Sequence, residues 1–254
     1  MSVISSRDNP RVRRWRSLAR DGYQRRKEKR TLIEGEHLVV AFLDSGGKVK
    51  ELILSKSAAA RFGNLARRCG KPAVVLADAV FNAVADARTP AGIAAEIALP
   101  ASDFDLQRAN TCVFLEGVQD AGNVGTILRS AAAFGIRHAV LGPGCADAWS
   151  PKVLRAGMGA HFSLAIAERA DLAGAIAEFG GKTVCAVPHD GVSLVSADLS
   201  GRIGWLLGAE GQGVSESLAA RATLRVTIPM PGGAESLNVA AAAAICFYEA
   251  TRGI

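Results

Sequence analysis

Thr111-Cys-Val-Phe-Leu-Glu-Gly-Val-Gln-Asp-Ala-Gly-Asn-Val-Gly-Thr-Ile-Leu-Arg129 opens as an apolar strand, breaks at a glycine-bearing turn and resumes with helical character. The strand reading covers Thr111–Val118, and the helix covers about 124–134, beginning near Asn123. Strand-like runs follow at Arg137–Leu141, Thr183–Val187, Ile203–Leu207 and Leu224–Ile228. Helical stretches follow at about 151–158, 171–179, 214–220 and 237–250. Strands alternating with helices imply an α/β fold whose parallel sheet is covered on both faces. Ligands of such sheets bind beyond the carboxyl ends of the strands. That rule singles out the loops Glu116–Gly125, Gly208–Gly213 and Met230–Asn238, all rich in glycine or small polar residues.

Upstream, Leu99-Pro-Ala-Ser-Asp103 separates two apolar blocks and marks a domain boundary. Before it the pattern gives helix 34–45, strand 49–54, helix 57–69, strand 72–76, a short helix near 78–84 and strand 92–97. The chain thus divides into a small α/β domain at 1–100 and a larger one at 107–254. Residues 1–30 hold eleven Arg/Lys against three Asp/Glu, whereas the whole chain is only +6, so the basic character lies in this one segment. Val12, Trp15, Leu18 and Ala19 recur there at helical spacing, giving one face to pack and another to present. A solvated basic helix would explain the charge. Arginine's planar guanidinium also suits phosphate, and the segment reads as a nucleic-acid contact through Arg11, Arg13, Arg14, Arg25, Arg26, Lys27 and Arg30.

Composition excludes several classes. Hydrophobic residues make up 49% of 254, enough for a core without disulfides or metal. No apolar run approaches the ~18 residues of a membrane span. The N-terminus lacks an apolar stretch after its basic residues, so a soluble cytoplasmic protein is expected. Five scattered cysteines (Cys69, Cys112, Cys145, Cys185, Cys246) form no CxxC pair and do not cluster with the four histidines. They read as buried reduced thiols, and no metal is expected. GxxxxGK[ST], GxSxG, HExxH and GxGxxG are all absent.

The three loops carry the chemistry. In the first, helix N-terminal amides near Asn123 suit an anion, and Arg129 lies about one and a half turns into the helix. Asn123 as a simple N-cap and Arg129 as an exposed helix arginine account for the same residues. In the second, Leu207-Gly-Ala-Glu-Gly-Gln-Gly213 places three glycines just after a buried strand, so the backbone can approach a ligand; a tight turn with a solvated Glu210 is the plainer account. In the third, Ile228-Pro-Met-Pro-Gly-Gly-Ala-Glu-Ser-Leu-Asn238 feeds an alanine-rich helix for which Ser236 is a candidate N-cap. Loop plus buried helix explains the alanines, but not why Ser236, Leu237 and Asn238 stand together at the helix entrance.

Taken in order, Asn123-Val-Gly-Thr-Ile-Leu-Arg129, Leu207-Gly-Ala-Glu-Gly-Gln-Gly213 and Ile228-Pro-Met…Ser236-Leu-Asn238-Val resemble the three motifs of the SpoU (TrmH-like) family of RNA 2′-O-ribose methyltransferases, within the SPOUT superfamily. The resemblance covers about 107–254. Arg30-Thr-Leu-Ile-Glu-Gly-Glu-His37 and Thr89-Pro-Ala-Gly-Ile93 are similar to the family's ribosomal-protein-like RNA-binding domain. The resemblance implies a deep trefoil knot in the C-terminal domain, S-adenosyl-L-methionine as methyl donor and a homodimer. It implies transfer of methyl to a ribose 2′-hydroxyl of RNA, 23S rRNA before tRNA. A non-catalytic RNA-binding protein of the same fold is the rival reading. By position, Arg129 matches the catalytic arginine, surrounded by Asn123, Glu210, Ser236 and Asn238. Gly208, Gly211, Ile228, Met230, Ser236 and Leu237 match the donor site. Ser150-Pro-Lys-Val-Leu-Arg-Ala-Gly-Met-Gly-Ala160 also looks family-like, making Lys152 and Arg155 candidate RNA contacts. A guanidinium, with a pKa above ~12, is a poor base, so Arg129 either acts under perturbation or positions substrate phosphate.

Overall fold

The computed structural model describes residues 3–100, 104–233 and 235–252. The chain forms two compact units, Met1–Ala101 with Trp149–Phe162, and Ser102–Ala148 with Ser163–Ile254. The expected break at 99–103 falls partly outside the described residues.

The first unit runs β1 (Val3–Ile4), α1 (Pro10–Arg20), α2 (Gly22–Glu28), β2 (Arg30–Glu34), α3 (Glu36–Asp44), β3 (Glu51–Ser55), α4 (Gly63–Arg68), β4 (Val74–Leu76), α5 (Asp78–Val84) and β5 (Ile93–Ala98). Its sheet has the order β1-β4-β3-β5-β2, with β5 antiparallel to both neighbours. The basic segment is helical for local reasons. Asn9 accepts from the Arg11 N–H, and Pro10 sits at the first helical position, where its missing donor costs nothing. Asp21 caps α2 by accepting from Tyr23 and Gln24 N–H. Val12, Trp15, Leu18 and Ala19 are buried and join Leu32, Ile53, Phe81 and Ala94 in one core. Glu96, fully buried on β5, accepts from Arg14, from Arg30 and from Trp15 Nε1 (2.9 Å), tying α1 to the sheet.

The second unit runs β6 (Thr111–Leu115), α6 (Ala121–Ala133) and β7 (His138–Leu141). The chain then enters the first unit for α7 (Pro151–Gly157) and returns for β8 (Ala165–Glu168), α8 (Leu172–Phe179), β9 (Lys182–Ala186), β10 (Val192–Ser193), β11 (Ile203–Leu207), α9 (Glu216–Ala219), β12 (Leu224–Thr227) and α10 (Val239–Thr251). The seven strands are all parallel, in the order β10-β12-β9-β11-β6-β7-β8. Every residue of β11 is buried, and Phe114, Phe179, Cys185 and Leu206 meet in the core on one face of the sheet. β12, β9 and β11 are parallel neighbours, so their carboxyl ends lie side by side.

Several elements depart from the sequence pattern. β2 begins and ends on charged residues, and β8 and β10 are short edge strands without a sustained apolar run, so none of the three is marked by alternation. The segment Trp149–Phe162, expected within a continuous 107–254 domain, packs instead with the first unit. Thr31 Oγ1 donates to Trp149 O (2.7 Å), and Arg155 pairs with Glu34 (3.2 Å) and Asp86 (2.5 Å). Cys112, Cys185 and Cys246 are buried, while Cys69 and Cys145 are only half-buried.

Candidate active site

A cavity of about 380 Å³ lies at the carboxyl ends of β9, β11 and β12. Its walls are largely apolar, including Val187, Leu207, Val226, Ile228, Leu237 and Ala242. Gly208, Gly211, Ile228, Met230, Ser236 and Leu237, drawn from two distant loops, all line it. Glu210 and Asn238 stand at its edge, and Glu210 is the single charged side chain among the described lining residues. Ala186-Val187-Pro188 also contributes and was not singled out by sequence, although the end-of-strand rule applies to β9 as much as to β11.

The 208–213 loop is closed on itself. Ala209 N–H donates to Gly213 O (3.1 Å) and Gly213 N–H to Ala209 O (2.8 Å), with Gly211 at φ 88° between them. A Cβ on Gly208 would meet Gly213 C at 2.0 Å and Val214 N at 2.2 Å. Glycine is therefore required there by the loop's own backbone, a different reason from the close ligand approach that the sequence suggested.

The loop 116–125 does not line the cavity and joins it through hydrogen bonds. Helix α6 starts at Ala121, two residues earlier than expected, because Asp120 is its N-cap and accepts from the Asn123 N–H (2.9 Å). Asn123 is thus not a cap, and its side chain is released for tertiary contacts. Its Nδ2 donates to Glu210 Oε1, and its Oδ1 accepts from Asn238 Nδ2 (3.0 Å). Asn238, not Ser236, caps α10, accepting at Oδ1 from Ala240 (3.0 Å) and Ala241 (3.3 Å) N–H. A chain Glu210–Asn123–Asn238 therefore links all three loops, and Asn123 fills its place because an amide both donates and accepts. Ser236 is exposed on the cavity rim.

Arg129 is exposed on α6, more than two turns from the helix start, with no hydrogen bond or ion pair to the described residues. It lies outside the cavity lining. α10 packs against α6 and leaves Ile245 (39% exposed) and Tyr248 (55% exposed) uncovered, with Tyr248 edge-on to Phe134 (6.1 Å).

The candidate RNA contacts separate into two groups. Arg11 pairs with Glu51 (2.6 Å), Arg14 and Arg30 with Glu96, and Arg155 with Glu34 and Asp86. Arg25 is buried and donates to Leu18 O (2.7 Å). These cations hold the first unit together. Arg26 is half-buried, whereas Arg13 and Lys27 are exposed.

Residues 110–248 match the profile described as the SpoU rRNA Methylase family, more than half of the chain. The chain belongs to this family. Residues 9–95 of this SpoU-family chain match a second profile, the MRM3-like substrate binding domain. The chain is 37% identical over 251 residues to the 23S rRNA (guanosine(2553)-2′-O)-methyltransferase RlmP of Bacillus subtilis (strain 168), covering 98% of each. Among solved structures it is similar to an AdoMet-bound rRNA methyltransferase from Sinorhizobium meliloti (TM-score 0.84, 28% identity, 99% of this chain and 97% of that one). It is also similar to a TrmH-family protein from Porphyromonas gingivalis (TM-score 0.81, 35% identity, 96% and 98%).

Proposed function

We propose that this chain transfers a methyl group from S-adenosylmethionine to a ribose 2′-hydroxyl of 23S rRNA. The observation that carries the reading is the cavity at the ends of β9, β11 and β12, with the Glu210–Asn123–Asn238 chain at its edge. The residues present suit the donor. Its volume falls within the range of small-molecule sites, its apolar walls suit an adenosine, and no Lys or Arg among the described lining residues opposes a cationic ligand. When bound, S-adenosylmethionine supplies a methyl carbon on a positively charged sulfur, open to attack by the ribose oxygen.

The chain's own residues then have distinct tasks. Val187, Leu207, Ile228 and Leu237 exclude water from the donor. Asn123 keeps the Glu210 carboxylate and the start of α10 in one fixed relation, so that the reacting atoms meet at near-attack distance without reorganisation. Arg129, exposed and unpaired with any described residue, faces the acceptor, as a phosphate clamp or, once it has lost its own proton, as the neutral group that takes up the hydroxyl proton. Arg13 and Lys27, with other exposed cations of the first unit, hold the RNA backbone. The reading includes a homodimer formed through the exposed Ile245 and Tyr248 of α10, and a cytoplasmic location. It includes a trefoil knot as well, supported by β9 lying between β11 and β12 while α10 returns to α6. A crystal-structure chain trace that pulls straight from both ends would remove the knot.

The test is transfer of labelled methyl from S-adenosylmethionine to unmodified rRNA and tRNA, with Arg129→Ala as control and nucleoside mass spectrometry of the product. A 2′-O-methyl nucleoside from rRNA is expected, guanosine being the first to look for. Product from tRNA alone moves the substrate. A base-methylated product overturns the hydroxyl chemistry, and donor binding without transfer to RNA or to ribosomal subunits leaves a binding protein.

A further inference from the structure

Glu116 lies beside the donor cavity without lining it, yet it touches both ends of a loop that does. Its backbone N–H donates to Leu207 O (2.9 Å), the last residue of β11. Its Oε2 accepts the N–H of Ser215 (2.7 Å), the N-cap position of α9. Between those two points run residues 208–214, which supply Gly208, Ala209, Glu210, Gly211 and Gly213 to the cavity wall. The Ala209–Gly213 pair shapes the tip of this loop but does not attach it to β6. Glu116, one residue beyond β6, does so at both ends. The bond at Ser215 is charge-assisted and stronger than a neutral one, and it fixes the end of the loop that no β-ladder holds.

We propose that Glu116 is a positioning residue for methyl transfer. Its carboxylate anchors the far end of the 208–214 loop, so that Glu210 meets Asn123 and the donor wall keeps its shape each time donor is exchanged for product. The proposal rests on assigning the cavity to the methyl donor. Two variants remove the same bond from opposite sides. Glu116→Ala removes the acceptor. Ser215→Pro removes the donor N–H, and Ser215 already has φ −60°, the value proline imposes. Glu116→Gln keeps an acceptor oxygen at the same reach.

S-adenosylhomocysteine binding would be measured by calorimetry, kcat and the KM for RNA by methyl transfer, and exchange of the 208–215 amides by mass spectrometry without ligand. Both deletions are expected to weaken binding about tenfold, with the double variant no worse than either single, and Glu116→Gln to stay within about threefold of wild type. Exchange of 208–215 should accelerate in Glu116→Ala while the KM for RNA changes less than about twofold. Unchanged donor affinity and exchange in Glu116→Ala overturn the proposal, as does a double variant whose loss is the product of the two single losses. A wild-type protein that binds neither S-adenosylmethionine nor S-adenosylhomocysteine removes the cavity's assignment itself, a failure distinct from intact binding in the variants.

Discussion

Asn123 donates an amide proton to Glu210 from Nδ2 and accepts one from Asn238 at Oδ1, two roles that its amide fills with separate atoms. Asn123→Asp keeps the shape but turns a carboxylate toward the Glu210 carboxylate. Losing a hydrogen bond to a charged group costs about 1.5–3 kcal/mol, so kcat/KM for methyl transfer should fall roughly tenfold to a hundredfold. Activity within twofold of wild type would show that the Glu210–Asn123–Asn238 chain does not serve the reaction. The motif made Asn123 and Asn238 visible in the sequence, but their division of labour was not. Asp120 and Ser236 are each chemically competent caps, and only the observed backbone path decides that Asp120 caps its helix and Ser236 does not. The thiols behave similarly. Burial pushes Cys246 up to about 12 and Cys185 up to about 11, with Cys112 raised further in the same direction. Iodoacetamide at pH 8 should therefore label Cys69 and Cys145 before the other three in the native protein, and all five in denaturant; rapid native labelling of Cys246 would contradict the α10 packing.

At the scale of elements, α1 is held by apolar contacts that its periodicity revealed and by a buried carboxylate that it did not. Glu96 stands in an otherwise apolar strand, Ile-Ala-Ala-Glu-Ile-Ala, and pairs with Arg14 and Arg30 from two other elements. Removing one side of a fully buried pair costs about 3–5 kcal/mol. Both arginines keep about a third of their side chains exposed, so Glu96→Ala should lower unfolding stability by about 2–3 kcal/mol in urea titration. A loss under ~0.5 kcal/mol would mean that the carboxylate contributes nothing net to holding α1. At the start of β7, burial lowers the pKa of His138 below its ordinary 6.5, and Asp105 opposes this only partly. Above pH 6.5 both folded and unfolded chains hold the ring neutral, and no stability depends on it. Below 6.5 the unfolded chain takes the proton first, so stability falls until the lowered folded pKa is passed. The thermal midpoint should therefore drop between pH 7.5 and 5.5 by more in wild type than in His138→Gln; equal drops would remove His138 as a cause.

For the whole molecule, the second unit leaves apolar side chains of α10 uncovered and Arg129 of the adjoining α6 unpaired with any described residue, a combination that suits a second copy covering the site. Ile245→Asp with Tyr248→Asp should shift sedimentation from dimer to monomer and lower methyl transfer at least tenfold, while donor binding stays within about threefold. A wild-type monomer in sedimentation would exclude the dimer, and an active monomeric variant would free Arg129 from it. The basic segment makes a parallel point about charge. Eleven cations in thirty residues read as one RNA-facing stripe, yet Glu51 binds Arg11 and Glu96 binds Arg14 and Arg30, leaving fewer for a partner.

The sequence by itself determined the alternation of strands and helices, the parallel sheet and the three loops at its carboxyl edge, because these follow from local apolar period and from glycine placement. Tertiary structure alone decided which arginines are structural, since their acidic partners lie 40–121 residues away. It also decided that Trp149–Phe162 leaves the larger unit for the smaller, and that Asn123, Glu210 and Asn238 form one hydrogen-bonded chain. Pairings of that separation are selected by burial and chain path, neither of which is written in any single stretch of residues.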